Sequence, residues 1–243
     1  MNTQMQNYIR NFIVLALILS GCTMSGKSVL RIAISNSPGS SIMYVAQEKK
    51  LFRQYEVDIE LVELNTGCEC MQALSESNVD AAIIPFSEYS SLPNTGMGVL
   101  LLVAVSNNEE QTHLHSHLKN DWQTGHADIL VGDRSELMTR RLDWQRVLLA
   151  YEHARMLLQG EPDEHSRITA EREHRSIEAV SNDLMHWKVF GITQQDSLLG
   201  VGGPFASMNA QWQGRQFLTA AATLRLEDTV PQKLHSGQTN KAK

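Results

Sequence analysis

The chain carries few side chains able to do chemistry, and they fall in separate places. Cys22 closes the run Leu19-Ser20-Gly21-Cys22, a thiol nucleophile set behind two slim residues. Cys68 and Cys70 stand as a Cys-x-Cys pair. That spacing suits two small residues at a helix start, a soft-metal pair, or a bridge whose ring would be tight and strained. His113, His115 and His117 alternate, with Asp121 and His126 close by. On an extended segment that spacing puts three imidazoles on one side, a weak candidate for zinc or copper; a solvated loop is the plainer reading. Gly200-Val-Gly-Gly-Pro204 is followed by no Lys-Ser/Thr, so it is not a phosphate loop. Ser, His and Asp occur at no spacing that marks a catalytic set. No enzyme activity, metal or cofactor is expected.

The thiol at position 22 is placed by what precedes it. Residues 1–11 are polar, with Arg10 near the amino terminus, and Phe12 to Leu19 is an unbroken apolar run. The run is far below the roughly 20 residues that span a bilayer as a helix. A short basic region, an apolar core and small residues before a cut describe a signal peptide. The ending Leu19-Ser20-Gly21-Cys22 resembles the bacterial lipobox, which implies cleavage before Cys22 and diacylation of its sulfur. Thr23 follows it, not Asp, which by resemblance to enterobacterial sorting leans toward the outer membrane. The expected address is therefore the cell envelope, lipid-anchored on the periplasmic side.

Composition bounds the rest. The chain has 243 residues, 42% of them hydrophobic, and a net charge of −6. That is enough apolar material for one large domain or two small ones. Mild acidity without a basic cluster argues against nucleic-acid binding.

Thr23 to Ser28 is a short polar tether. Strand patterns follow at Val29–Ile34, Val57–Leu64, Val79–Ile84 and Gly98–Val105. Helical spacing appears at Ile42–Lys50 and Cys68–Ser77, with a shorter helix after Pro85, and Ser40 or Ser41 placed to cap the first. Asp80 is expected to cap or turn beside its strand. Alternating strands and helices imply an α/β fold with a mostly parallel sheet, whose ligand sites lie outside the carboxyl ends of the strands. Residues 107–126 are polar and His-rich. Ala127–Gly132 reads as a strand, and Asp133-Arg-Ser-Glu136 as a capping box opening a long helix to about Gln159. Two charged helices over Asp163–His174 and Ser176–Phe190, and a last one over Phe205–Leu226, complete a helical carboxyl-terminal region. The expected organisation is a leader (1–21), a tether (22–28), an α/β lobe (29–132), helices packing on it (133–228) and a loose tail (229–243).

The ordered set Leu30-Arg-Ile-Ala-Ile, Tyr44-Val-Ala-Gln-Glu-Lys-Lys-Leu-Phe52, Val57-Asp-Ile-Glu-Leu-Val62, Thr66-Gly67, Ala73-Leu74 and Val79-Asp-Ala-Ala-Ile83 resembles the solute-binding proteins of ABC importers of the nitrate, alkanesulfonate, taurine and thiamine-pyrimidine group. Two family glycines are replaced, by Lys50 and Asn78. Asn tolerates the left-handed conformation. The resemblance implies a type II periplasmic-binding-protein fold, and the short stretch 107–126 leaves no room for a full second lobe. It further implies a small polar or anionic ligand held by Ser37, Ser40 and Ser41, by Thr66 and Gly67, and by Pro85, Phe86 and Ser87, with Phe86 able to stack on it. An ABC permease or a membrane sensor would be the protein partner. The alternative is a lobe that has lost its ligand and serves as a protein-interaction module in the envelope.

Overall fold

The computed structural model describes residues 29–91, 97–106, 127–195 and 198. Six strands form one sheet: β1 (Leu30–Ile34), β2 (Ile59–Glu63), β3 (Ala81–Pro85), β4 (Met97–Ser106), β5 (Ala127–Asp133) and β6 (Trp187–Val189). Their order is β2-β1-β3-β5-β4-β6. Helices α1 (Ser41–Glu48), α2 (Leu51–Gln54), α3 (Gly67–Ser75) and α4 (Phe86–Ser91) join the early strands. After β5 come α5 (Arg134–Thr139), α6 (Arg141–Gly160), α7 (Pro162–Glu173) and α8 (Ile177–Met185).

The first half of the sheet follows the βαβ expectation. β2 and β3 both pair in parallel with β1, Leu30 facing Ile59 and Ile32 facing Ala81. The other half departs from the expected parallel arrangement. β5 runs antiparallel between β3 and β4, with Pro85 opposite Asp128 and Val105 opposite Ala127, and β6 is antiparallel to β4. Pairing direction depends on the route of the connection, which the residues of a strand do not record.

Alternation across the pleat sorts the core into two layers. Ile32, Ile34, Ile83 and Leu130 face one cluster, built with Tyr44 of α1 and with Trp144, Leu148 and Tyr151 of α6. Ala33, Ile84, Ile129 and Val131 face the other, built with Met71 and Leu74 of α3 and with Phe86. Strands buried on both faces read as near-continuous apolar runs.

Three local expectations need correction. Residues 187–189 form a strand, not the end of a helix; Trp187 and Val189 pair with Ser106 and Ala104. The edge of β4 recruits them, a demand the local helical spacing does not register. The helix after Asp133 breaks at Arg140 (φ −103, ψ 34), which separates α5 from α6. Finally, Ser77 takes the left-handed turn (φ 59), not Asn78. Lys50, by contrast, sits at φ 57, in the conformation that glycine adopts without steric cost. Asp133 does cap α5, accepting from the amides of Ser135 (2.8 Å) and Glu136 (3.1 Å). Asp80 accepts from the amide of Arg31 at 2.7 Å and holds the neighbouring strand start.

Candidate functional site

β1 and β2 each end in a loop that opens a helix, β3 runs directly into α4, and two close approaches pack these segments against their neighbours. At Gly39, a Cβ would lie 2.5 Å from the Asp128 side chain. At Gly67, a Cβ would lie 2.6 Å from both Pro85 and the Glu88 carboxylate. Only a residue without a side chain fits either place. The loop 35–41 therefore rests on the start of β5, and the start of α3 rests on the start of α4.

Asp128 is the centre of the first contact. It is 2% exposed and accepts a hydrogen bond from the Gly39 amide at 2.9 Å and another from the Ser37 hydroxyl. Burial pushes its carboxyl up to about 6, with a smaller push from Glu88 and an opposing pull from those two donors. The Glu88 carboxyl is itself raised, first by burial, and takes a hydrogen bond from the Cys68 thiol. Two carboxyl groups thus share this edge of the sheet. Composition gave no sign of them; a lone charged residue inside the apolar strand Ala-Asp-Ile-Leu-Val-Gly was the available signal.

The expected ligand-binding residues divide by accessibility. Thr66 and Ser87 are exposed, and Ser37 and Pro85 are half-buried. Thr66 caps α3, accepting from the Glu69 amide at 3.1 Å, while the Glu69 carboxylate accepts from the Asn65 amide at 2.9 Å. Ser40 and Ser41 are fully buried. Ser40 stands at the N-cap of α1, yet its hydroxyl lies 3.1 Å from that of Ser37 and caps nothing. Ser41 donates to the Pro38 carbonyl at 2.5 Å. Phe86 is 1% exposed and packs beside Tyr89, centroids 6.3 Å apart. Its ring belongs to the core and has no open face for stacking on a ligand.

Cys68 and Cys70 are free thiols on α3, one exposed and one buried. Burial pushes Cys70 up to about 12. Among the described residues no group of His, Cys, Asp and Glu is placed to hold a metal, and no helix is long and apolar enough to cross a membrane. Cys22, His113, His115 and His117 lie outside the described residues.

No protein-family model matches the sequence, and no curated protein sequence does. Solved structures do match. A Candida albicans protein described as having the generic periplasmic binding protein structural fold aligns over 83% of this chain and 90% of its own, with a TM-score of 0.56 at 10% identity. The fold is that of a periplasmic-binding-protein lobe. The periplasmic nitrate-binding protein of Synechocystis aligns over 86% of this chain and 87% of its own (TM-score 0.53, 10% identity). The alkanesulfonate-binding protein of Xanthomonas axonopodis pv. citri, bound to MOPS, aligns over 80% and 97% (TM-score 0.51, 13% identity). At these identities the likeness is one of fold.

Proposed function

We propose that this protein is a lipid-anchored, single-lobed binding protein that holds a small polar molecule at the carboxyl edge of its sheet. Cys22 would carry the lipid and keep the lobe beside a membrane on the periplasmic side. The protein would pass its ligand to an ABC permease or report it to a membrane sensor, without catalysing a reaction. The observation that carries this reading is the close packing of the strand-to-helix segments at the sheet edge, Gly39 on Asp128 and Gly67 on Pro85 and Glu88, in a fold shared with proteins named for nitrate and alkanesulfonate binding.

Ser37, Thr66 and Ser87 are the reachable hydroxyls there, so they are the contacts we assign to the ligand. Asp128 and Glu88 weigh against a bare anion, since a carboxylate nearby repels negative charge. A neutral or cationic hydrogen-bond donor suits the edge better. Thermal-shift and calorimetric screening against amines, pyrimidines, nitrate and sulfonates tests this. At least one amine or pyrimidine should stabilise the protein, and Thr66→Ala with Ser87→Ala should weaken that compound tenfold or more. No stabilisation by any compound would overturn the reading.

One observation favours the alternative of a ligand-free interaction module. Ser40, Ser41 and Phe86 are sealed in the core, and Asp128 already takes the Gly39 amide and the Ser37 hydroxyl. Recovery of an envelope protein whose binding ignores substitutions at Ser37, Thr66 and Ser87 would favour that module.

A further inference from the structure

The start of β1, the start of β3 and the end of β5 lie together at one end of the sheet. Asp80 ties that end to α6: its carboxylate accepts from the Arg31 amide at 2.7 Å and pairs with Arg140 at 3.9 Å. The first turn of α6 therefore sits opposite the loops 35–41 and 64–67, at the amino end of β1. Among the described residues three large apolar side chains stand exposed there: Val29 (46%), Met138 (50%) and Leu142 (68%). Met138 and Leu142 are four residues apart across the break at Arg140, while Leu137 and Trp144 beside them are buried. A scattered apolar residue on a surface is ordinary, but several at one end of a fold mark a contact face.

The charges around them do not oppose contact with a lipid surface. Residues 134–146 carry four arginines, against the two acids Glu136 and Asp143. Asp80 and Glu56 reach across to Arg140 (3.9 Å) and Arg146 (3.7 Å). This stretch is close to balanced in charge, in a chain whose net charge is −6.

The position of Cys22 says what covers this end. Six residues, Thr23 to Ser28, separate it from Val29. Fully extended, that tether reaches at most about 25 Å. It enters the fold at this end, whereas α6, with 20 residues, carries its other end about 30 Å away. A contact held by so short a tether meets its surface at high effective concentration, so even a weak one forms.

We propose that the amino end of the sheet is a membrane-contact face, with Val29, Met138 and Leu142 entering the headgroup region of the bilayer. The inference rests on the lipid anchor proposed above. It turns Ser37, Thr66 and Ser87, at the carboxyl end, away from the bilayer. A partner that meets those residues must then project from the membrane.

Depth-dependent quenching tests it. The full chain, acylated at Cys22, is placed in vesicles of phosphatidylethanolamine and phosphatidylglycerol in equal parts. Cys68→Ser removes the exposed thiol, and Cys70 is buried. A nitrobenzoxadiazole label is then attached through Leu142→Cys or, as control, through Gln159→Cys. Gln159 is exposed on the same helix, about 25 Å further along its axis. That distance exceeds the roughly 5–10 Å to which interfacial apolar groups sink. Lipids carrying a doxyl group near the headgroup should quench the label at Leu142 at least threefold more than the label at Gln159. Met138→Glu, at an exposed position, should remove at least half of that difference in a protein with unchanged melting. Failure of the protein to float with the vesicles would overturn the anchor, and this face with it. A protein that floats but is quenched equally at the two positions would overturn the face alone. So would a label at Leu142 that loses water without being quenched, since a second copy of the chain would then be its cover.

Discussion

Asp128→Asn is the substitution that examines the buried centre of the sheet edge. The Asp128 carboxyl is raised from its ordinary value of 3.8 to about 6, chiefly by burial. The folded protein therefore holds this proton more tightly than the unfolded chain does. A group of that kind favours folding fully below pH 4, and its contribution is lost as pH rises from about 4 to about 6. The change corresponds to roughly 3 kcal/mol. Asparagine keeps an oxygen for the Gly39 amide, fits the same space and carries no charge. Urea unfolding of both proteins between pH 4 and pH 8 should give similar stabilities near pH 4. The variant should then gain on the parent through pH 6, and exceed it by about 1–3 kcal/mol at pH 7. Glu88 and Glu173 are also raised by burial and titrate in both proteins, so the difference between the curves isolates position 128. Parallel curves, or a variant weaker by the same amount at every pH, would refute the reasoning, because the Asp128 proton would then not be tied to folding.

Other substitutions probe the frame around the site. Tyr151→Phe removes a buried hydroxyl that donates to the Phe190 carbonyl at 2.7 Å and reaches the Val103 carbonyl at 3.2 Å, so denaturation should show a loss of about 1–3 kcal/mol. Lys50→Gly relieves a left-handed residue and should raise stability by about 0.5–1 kcal/mol, read as a higher urea midpoint at unchanged m-value. Gly39→Ala drives a methyl group against Asp128 and should cost about 1–3 kcal/mol in the same assay.

Much of the first half of the fold is legible in the residues. β-branched runs mark β1 and β3, apolar-acidic alternation marks β2, and Thr66-Gly67 marks the start of α3, because each signal is local. The remainder turns on distant partners. β6 exists because β4 has an edge to cover, and nothing in Trp187-Lys-Val189 alone competes with helical spacing. The loops at the carboxyl ends were likewise legible as loops, but not which of their side chains face inward. Ser40, Ser41 and Phe86 turn to the core, while Asp128 arrives from a strand far along the chain. The replaced glycines show the same limit: Lys50 keeps the backbone conformation of glycine, whereas at the second position the left-handed turn moves to Ser77.

Cys68 offers the most direct measurement of the central claim, that a small polar ligand occupies the junction of these loops. Its thiol is exposed and donates to Glu88 beside Gly67, whereas Cys70 on the same helix is buried. Alkylation of Cys68 by iodoacetamide, followed by peptide mass spectrometry, reads that one position with and without each screened compound. The account predicts that the amine or pyrimidine that stabilises the protein slows Cys68 alkylation at least fivefold and leaves Cys70 unmodified. A compound that stabilises the protein while Cys68 reacts at its original rate would contradict it.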